Sequence, residues 1–177
     1  MGKNELKISE IMKFSRHDHM NDMQLLLMYL DMGKYQEAKE CILEKTSEMQ
    51  QFAMLQRLGL PKTEEWLMML DWKYPVFNSR LCCDIASEVT LPRIDAMLVG
   101  YLESLVKTVM SSIDQYAECT VMINVVITAL TWSIQLSFSD IQGVSFHAAE
   151  DSDLLTIEIL NESEQCTVIL SGKLGGL

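Results

Sequence analysis

Apolar residues recur at three- and four-residue spacing from about Asn4 to Met32 and again from Tyr35 to about Leu58, with only Gly33 and Lys34 between the two runs. Each run predicts a helix. Gly33 is placed as the left-handed cap that ends the first, and Gly59-Leu60-Pro61 breaks the chain after the second. So tight a connection predicts an antiparallel helical hairpin. At about 100° per residue, Met12, Arg16, Met20, Met23, Leu27 and Leu30 share one stripe of the first helix, widened by Ile8, Leu26 and Tyr29. The second helix offers Tyr35, Ala38, Ile42, Met49 and Phe52 at compatible spacing. One hairpin cannot bury so wide an arc, and a two-fold homodimer forming a four-helix bundle is the simplest way to cover it.

From Pro61 the pattern changes. A short helix is expected through Glu64 to Trp72, then a strand from Arg80 to Glu88 and a long helix from Pro92 to about Tyr116. Alternating, β-branched runs follow at Cys119 to Thr128, Thr131 to Ser139, Leu154 to Leu160 and Cys166 to Ser171. Gly143 and the run from Glu150 to Asp153 supply turns, and Asn161 to Gln165 fits a hairpin connection. The fold class is α+β. Residues 1–59 form the dimerising hairpin and residues 60–177 a second, α/β sandwich-like domain, joined without a low-complexity linker.

Hydrophobic residues make up 49% of the 177, enough for a packed core, and the formal charge of −11 disfavours nucleic acid or an anionic membrane surface as partner. The longest apolar stretch, Val121 to Leu136, is broken by Asn124, Thr128, Thr131, Ser133 and Gln135, so no membrane span is expected. The N-terminus lacks a basic-then-apolar signal pattern. The cysteines, Cys41, Cys82, Cys83, Cys119 and Cys166, are odd in number and form no C-x-x-C pair, which fits free thiols in a cytoplasmic protein.

The candidate chemistry sits in Ser15-Arg16-His17-Asp18-His19-Met20-Asn21, inside the first helix. His17 falls outside the apolar stripe, in line with Glu10, Lys13, Asn21, Gln24 and Met28, so it is expected to face solvent. The bland reading is the wet face of an amphipathic helix. The chemical one is a nucleophile: a neutral imidazole with an ordinary pKa of about 6.5 keeps a lone pair at cytosolic pH and can attack phosphorus. Asp18 can bond the other ring nitrogen, hold the tautomer and stabilise the positive charge that grows on the ring. Lys13 and Arg16 add positive charge for phosphoryl oxygens. Arg16 has a second reading, since its direction also suits an arginine paired across the bundle seam. Lys13, Asn21, Gln24, Leu25 and Met28 form a candidate partner-docking face. A metal site at His17-Asp18-His19 is disfavoured, because residues two apart on a helix point roughly opposite ways and the only other histidine is His147.

The run from Ser15 to Leu25 resembles the phosphoacceptor motif of the sporulation initiation phosphotransferase B family and of the sensor kinases whose dimerisation helices are similar to it. The likeness is specific over that run, fair to Cys41 and only architectural beyond Pro61. Where those relatives often carry an aromatic or other apolar residue after the His-Asp pair, this chain has His19. The resemblance implies that residues 60–177 are similar to a histidine kinase ATPase domain, whose motifs are missing: the Pro92–Tyr116 helix contains no asparagine, no D-x-G-x-G follows, and Gly172, Gly175 and Gly176 precede no helix. ATP is therefore not expected to bind. The resemblance further implies a phosphorelay, with His17 taking a phosphoryl group from the aspartyl phosphate of a single-domain response regulator and passing it to an aspartate on the sporulation response-regulator transcription factor. No bound cofactor is implied, and Mg2+ would belong to the regulators. Two rivals stand beside this reading, an ATP-dependent histidine kinase fragment and a non-catalytic dimeric binding module that docks on and regulates a response regulator or kinase.

Overall fold

The computed structural model describes residues 7–87, 89, 92–113, 118–139, 141, 155–161 and 165–174. His147, Gly143 and the acidic run from Glu150 to Asp153 lie outside the described residues. The chain divides into two compact units, residues 1–50 and residues 51–177.

The first unit is helical. Helix α1 spans Ile8–Asp31 and α2 spans Tyr35–Leu55, with the last residues of α2 counted in the second unit. The Glu10 carboxylate accepts the Lys7 N–H at 2.8 Å, satisfying one of the donors that a helix start leaves open. At the other end Gly33 adopts φ +70°, and its N–H and that of Lys34 return to the carbonyls of Leu30 and Tyr29. That double closure ends α1 with a glycine at the left-handed position. Lys45 on α2 approaches Asp22 on α1 at 3.4 Å, the antiparallel pairing expected of residues nearly equidistant from the turn. Ala38 and Cys41 are buried, yet no residue of α1 is. Met12, Met20, Met23, Leu27 and Leu30, the stripe expected to form the seam, are all exposed in the single chain, Leu27 at 58%.

The second unit is built on a five-stranded mixed sheet. Its strands are β1 (Phe77–Ile85), β2 (Cys119–Ile127), β3 (Thr131–Ser139), β4 (Thr156–Asn161) and β5 (Gln165–Lys173), in the order β1-β2-β3-β5-β4. Strands β1 and β2 are parallel and the other pairs antiparallel. A parallel neighbour requires a crossover, which α5 (Pro92–Ser112) supplies. Period-two alternation buries Val121, Ile123 and Val125 of β2, Trp132, Ile134 and Leu136 of β3, and Val168 and Leu170 of β5. Helix α5 contributes Ile94, Leu98, Leu102, Leu105 and Val109 to the same core, at the three- and four-residue spacing that makes one face of a helix.

Several boundaries differ from expectation for local reasons. Helix α2 stops at Leu55 rather than Leu58, because Leu55, Leu58 and Leu60 all turn into the core of the second unit and Gly59 takes φ +78° between them. The single helix expected through Glu64 to Trp72 is two, α3 (Pro61–Met68) and α4 (Leu70–Lys73), separated at Met69. Strand β1 begins three residues before the expected start, at the buried Phe77, and ends at the buried Ile85. The free edge of β1 is capped by side chains: Ser79 N–H and hydroxyl donate to the Asp71 carboxylate, and Cys83 N–H donates to Gln51 Oε1 at 2.7 Å. Such caps occupy donors that would otherwise template another strand.

Two carboxylates on α5 fasten it to the helices beside it. Asp95, buried, accepts the N–H groups of Lys62 and Thr63 and the Thr63 hydroxyl, so it caps the start of α3 from a distant part of the chain. Glu103 accepts hydrogen bonds from Trp66 Nε1 at 3.0 Å, Tyr74 Oη at 2.8 Å and Lys73 Nζ. Burial alone would raise its carboxyl, but the bonds from Lys73, Tyr74 and Trp66 and the Lys73 charge outweigh that and hold it at about 2. Reciprocally, burial and the Glu103 partner push the Tyr74 phenol upward.

Gly100 lies inside α5 on an exposed position, and a Cβ there would meet nothing within 4 Å. Glycine in a helix interior loses about 0.5–1 kcal/mol relative to alanine through backbone entropy. Gly100→Ala is therefore expected to stabilise the protein by about that amount in urea unfolding. A lower unfolding midpoint would mean that the position is in contact with something.

Candidate functional site

Helix α1 presents its polar face to solvent, and the His17 side chain is 70% exposed. The lack of a β-branched or glycine residue between Met12 and Met32 leaves the helix continuous through this region, so side-chain directions follow helical spacing closely. His17 Nδ1 lies 3.4 Å from Asp18 Oδ1 and 3.2 Å from Asn21 Nδ2. Asp18 is the neighbour in sequence, and Asn21 sits one turn along on the same face, where i and i+4 side chains meet.

These two contacts make different demands on the ring. A carboxylate only accepts, so the bond to Asp18 needs a proton on Nδ1 and leaves the lone pair on Nε2. An amide N–H only donates, so the bond from Asn21 Nδ2 needs the lone pair on Nδ1 and places the proton on Nε2. The first arrangement makes Nε2 a nucleophile. The second does not.

Lys13, Arg16, Gln24, Leu25 and Met28 are all exposed on α1, with Leu25 at 38% and Met28 at 46%. The structure brings Asp18 and Asn21 onto the His17 ring, whereas no hydrogen bond among the described residues joins the ring to Lys13, Arg16 or Gln24. Asn21, which spacing places on the candidate docking face, is also a partner of the ring, and its four-residue separation from His17 is the sequence signal for that contact. Asp22, next to Asn21, is directed instead toward Lys45 of α2. Burial alone would lower the Lys45 ammonium, but the hydrogen bonds and charge attraction from Glu48 and Asp22 together outweigh it and shift it upward. Among the described residues no group of three His, Cys, Asp or Glu side chains is placed to hold a metal ion, and no helix is long and apolar enough to cross a membrane. On the sheet, burial drives the Cys83 thiol up to about 12 and Cys166 up to about 11, which keeps both protonated and unreactive.

Residues 1–58, the segment carrying His17, match the family described as Sensor_kinase_SpoOB-type, alpha-helical domain. Among solved structures the chain is similar to the histidine kinase ThkA in its complex with the response regulator protein TrrA, at 9% identity and a TM-score of 0.44, covering 95% of this chain and 62% of that one. It is also similar to the histidine kinase AdeS of Acinetobacter baumannii, at 11% identity and a TM-score of 0.40, covering 90% of this chain and 98% of that one. The chain thus spans under two thirds of the length of ThkA. No curated protein matches it.

Proposed function

We propose that the protein is a phosphorelay phosphotransferase. His17 accepts a phosphoryl group from the aspartyl phosphate of one response regulator and returns it to an aspartate of another, the second being the transcription factor of a sporulation-initiation relay. The observation that carries this reading is an exposed histidine whose Nδ1 is met by Asp18, within a segment that matches the SpoOB-type helical family.

The chemistry balances without a cofactor on this chain. Nε2 of His17 attacks phosphorus, the phosphorus–oxygen bond to the regulator's aspartate breaks, and the carboxylate leaves with the electron pair. The ring then carries a positive charge, which Asp18 stabilises through the Nδ1 proton. Transfer to the second regulator is the reverse of the same step. An acyl phosphate and a phosphohistidine are similar in energy, so positioning rather than driving force governs the rate. Mg2+ enters with the regulators' acidic pockets. Lys13 and Arg16 offset phosphoryl charge, and Gln24, Leu25 and Met28 supply docking surface beside the ring.

Two further features support the reading. Both acidic side chains described on the inner side of α5, Asp95 and Glu103, are taken up by structural hydrogen bonds, which favours a scaffolding role for residues 60–177 over nucleotide chemistry. The exposed stripe from Met12 to Leu30 favours a homodimer, since a contiguous apolar face of that length is unusual on a soluble monomer. Sedimentation at micromolar concentration is expected to give a dimer, and Leu27→Glu to give a monomer. A wild-type monomer would contradict the bundle.

The direct test is the chemical nature of the phosphoprotein. After incubation with a response regulator carrying labelled aspartyl phosphate, label on this chain is expected to be acid-labile, base-stable and confined to the peptide containing His17. Label on any other residue would contradict the assignment.

A further inference from the structure

The amide of Asn21 points at the one ring nitrogen that must be protonated for His17 to react. Its Nδ2 lies 3.2 Å from His17 Nδ1, nearer than the Asp18 oxygen at 3.4 Å. Both groups compete for a single atom, and they select opposite tautomers. With Asn21 donating, the ring proton sits on Nε2, and the only lone pair, on Nδ1, is occupied by the amide.

From this geometry we infer that Asn21 is a positioning residue that holds free His17 in the unreactive tautomer, so that the imidazole is shielded from small phosphoryl donors until a protein partner docks and draws the amide away. The inference rests on His17 being the phosphoacceptor. It addresses a problem the exposure of the site creates: a ring 70% accessible to solvent has no wall to exclude small phosphorylated metabolites. A tautomer held by Asn21 removes the nucleophile without hiding it. A docking regulator that bonds the amide would leave Asp18 as the sole partner of Nδ1, and the proton would move to that nitrogen through solvent.

Asn21 is itself exposed and caps nothing in the helix, so its replacement leaves the fold undisturbed. The reaction used as a probe is phosphorylation by phosphoramidate. Nε2 attacks phosphorus, the phosphorus–nitrogen bond breaks, and ammonia departs with the electron pair, while Nδ1 keeps its proton against Asp18 until solvent takes it. The experiment measures the rate of His17 labelling by phosphoramidate in the full chain, for wild type, Asn21→Ala and Asn21→Asp, together with the ring 15N chemical shifts of His17 at a pH where the imidazole is neutral.

Both variants are expected to label several-fold faster than wild type, with the shifts moving from the Nε2–H pattern toward the Nδ1–H pattern. The effect is expected to be larger for Asn21→Asp, whose second carboxylate accepts the Nδ1 proton. A merely structural role would change thermal stability and leave the tautomer shifts in place. Equal labelling rates and equal shifts in all three proteins, with His17 labelled, would overturn the inference and leave the phosphoacceptor reading intact. No label at His17 in any of them would overturn both.

Discussion

His17→Gln is expected to abolish phosphoryl transfer while leaving regulator binding within a few-fold of wild type. Glutamine fills much of the imidazole volume and keeps polar atoms at the helix surface, but it has no lone pair basic enough to attack phosphorus. Removing the nucleophile from a covalent mechanism lowers the rate by roughly 10^3-fold or more, because orientation and electrostatics cannot act on a bond that never forms. The residue is exposed and supports no buried contact, so the change in folding stability should stay within about 0.5 kcal/mol. This split separates the two readings that share a docking face. A binding module would keep its regulatory effect in the variant, and a phosphotransferase would keep only its affinity. Transfer assays and a binding titration on the same preparation check it, and unchanged transfer would exclude His17 as the acceptor.

The second large effect lies far from the site, at Glu103. Its carboxyl is held at about 2 against an ordinary value of 4.5, and its side chain is only 22% exposed. Because the folded value is the lower, the stabilisation is fully present above about pH 4.5 and is lost as the pH falls toward about 2. The interval corresponds to about 3 kcal/mol at most. Glu103→Ala removes the shared acceptor of Trp66, Tyr74 and Lys73 and leaves a half-buried ammonium without its partner, so a loss of about 3–5 kcal/mol is expected. Glu103→Gln retains an acceptor and loses the charge; its loss should be smaller, and its stability should vary less between pH 4.5 and 2 than that of wild type. Urea unfolding across that range checks both, and an unaltered acid limb in Glu103→Gln would assign the acid sensitivity to other carboxylates.

The helical hairpin was legible because its signals are local. Gly33 is the only residue between the two apolar runs that accepts a positive φ freely, and it takes φ +70°. Strand β3 was legible for a similar reason: from Thr131 to Ser139 the chain alternates strictly between buried and outward residues until Ser137, which is buried between Gln135 and Thr167 partners. Strand β1 starts three residues earlier than expected, since Phe77, Asn78 and Ser79 read as loop when the Asp71 carboxylate that satisfies Ser79 is not in view. Asp95 and Glu103 looked like ordinary charges on a helix; their partners lie more than a helix length away in sequence, and no periodicity reports such pairs. At the site, the exposure of His17 and the proximity of Asp18 follow from the helical plot. The contact from Asn21 was within reach of the same plot, but the competition between donor and acceptor emerges only once both distances are known.

The central claim is that a phosphoryl group passes through His17 between two regulators. The most direct measurement begins with one response regulator carrying labelled aspartyl phosphate, freed of its kinase and of ATP, mixed with a second, unlabelled regulator and a catalytic amount of this protein. The account predicts that label appears on the second regulator only when the wild-type chain is present, after a transient acid-labile, base-stable species on His17. Label that fails to cross with wild type, or crosses equally well with His17→Gln, would contradict it.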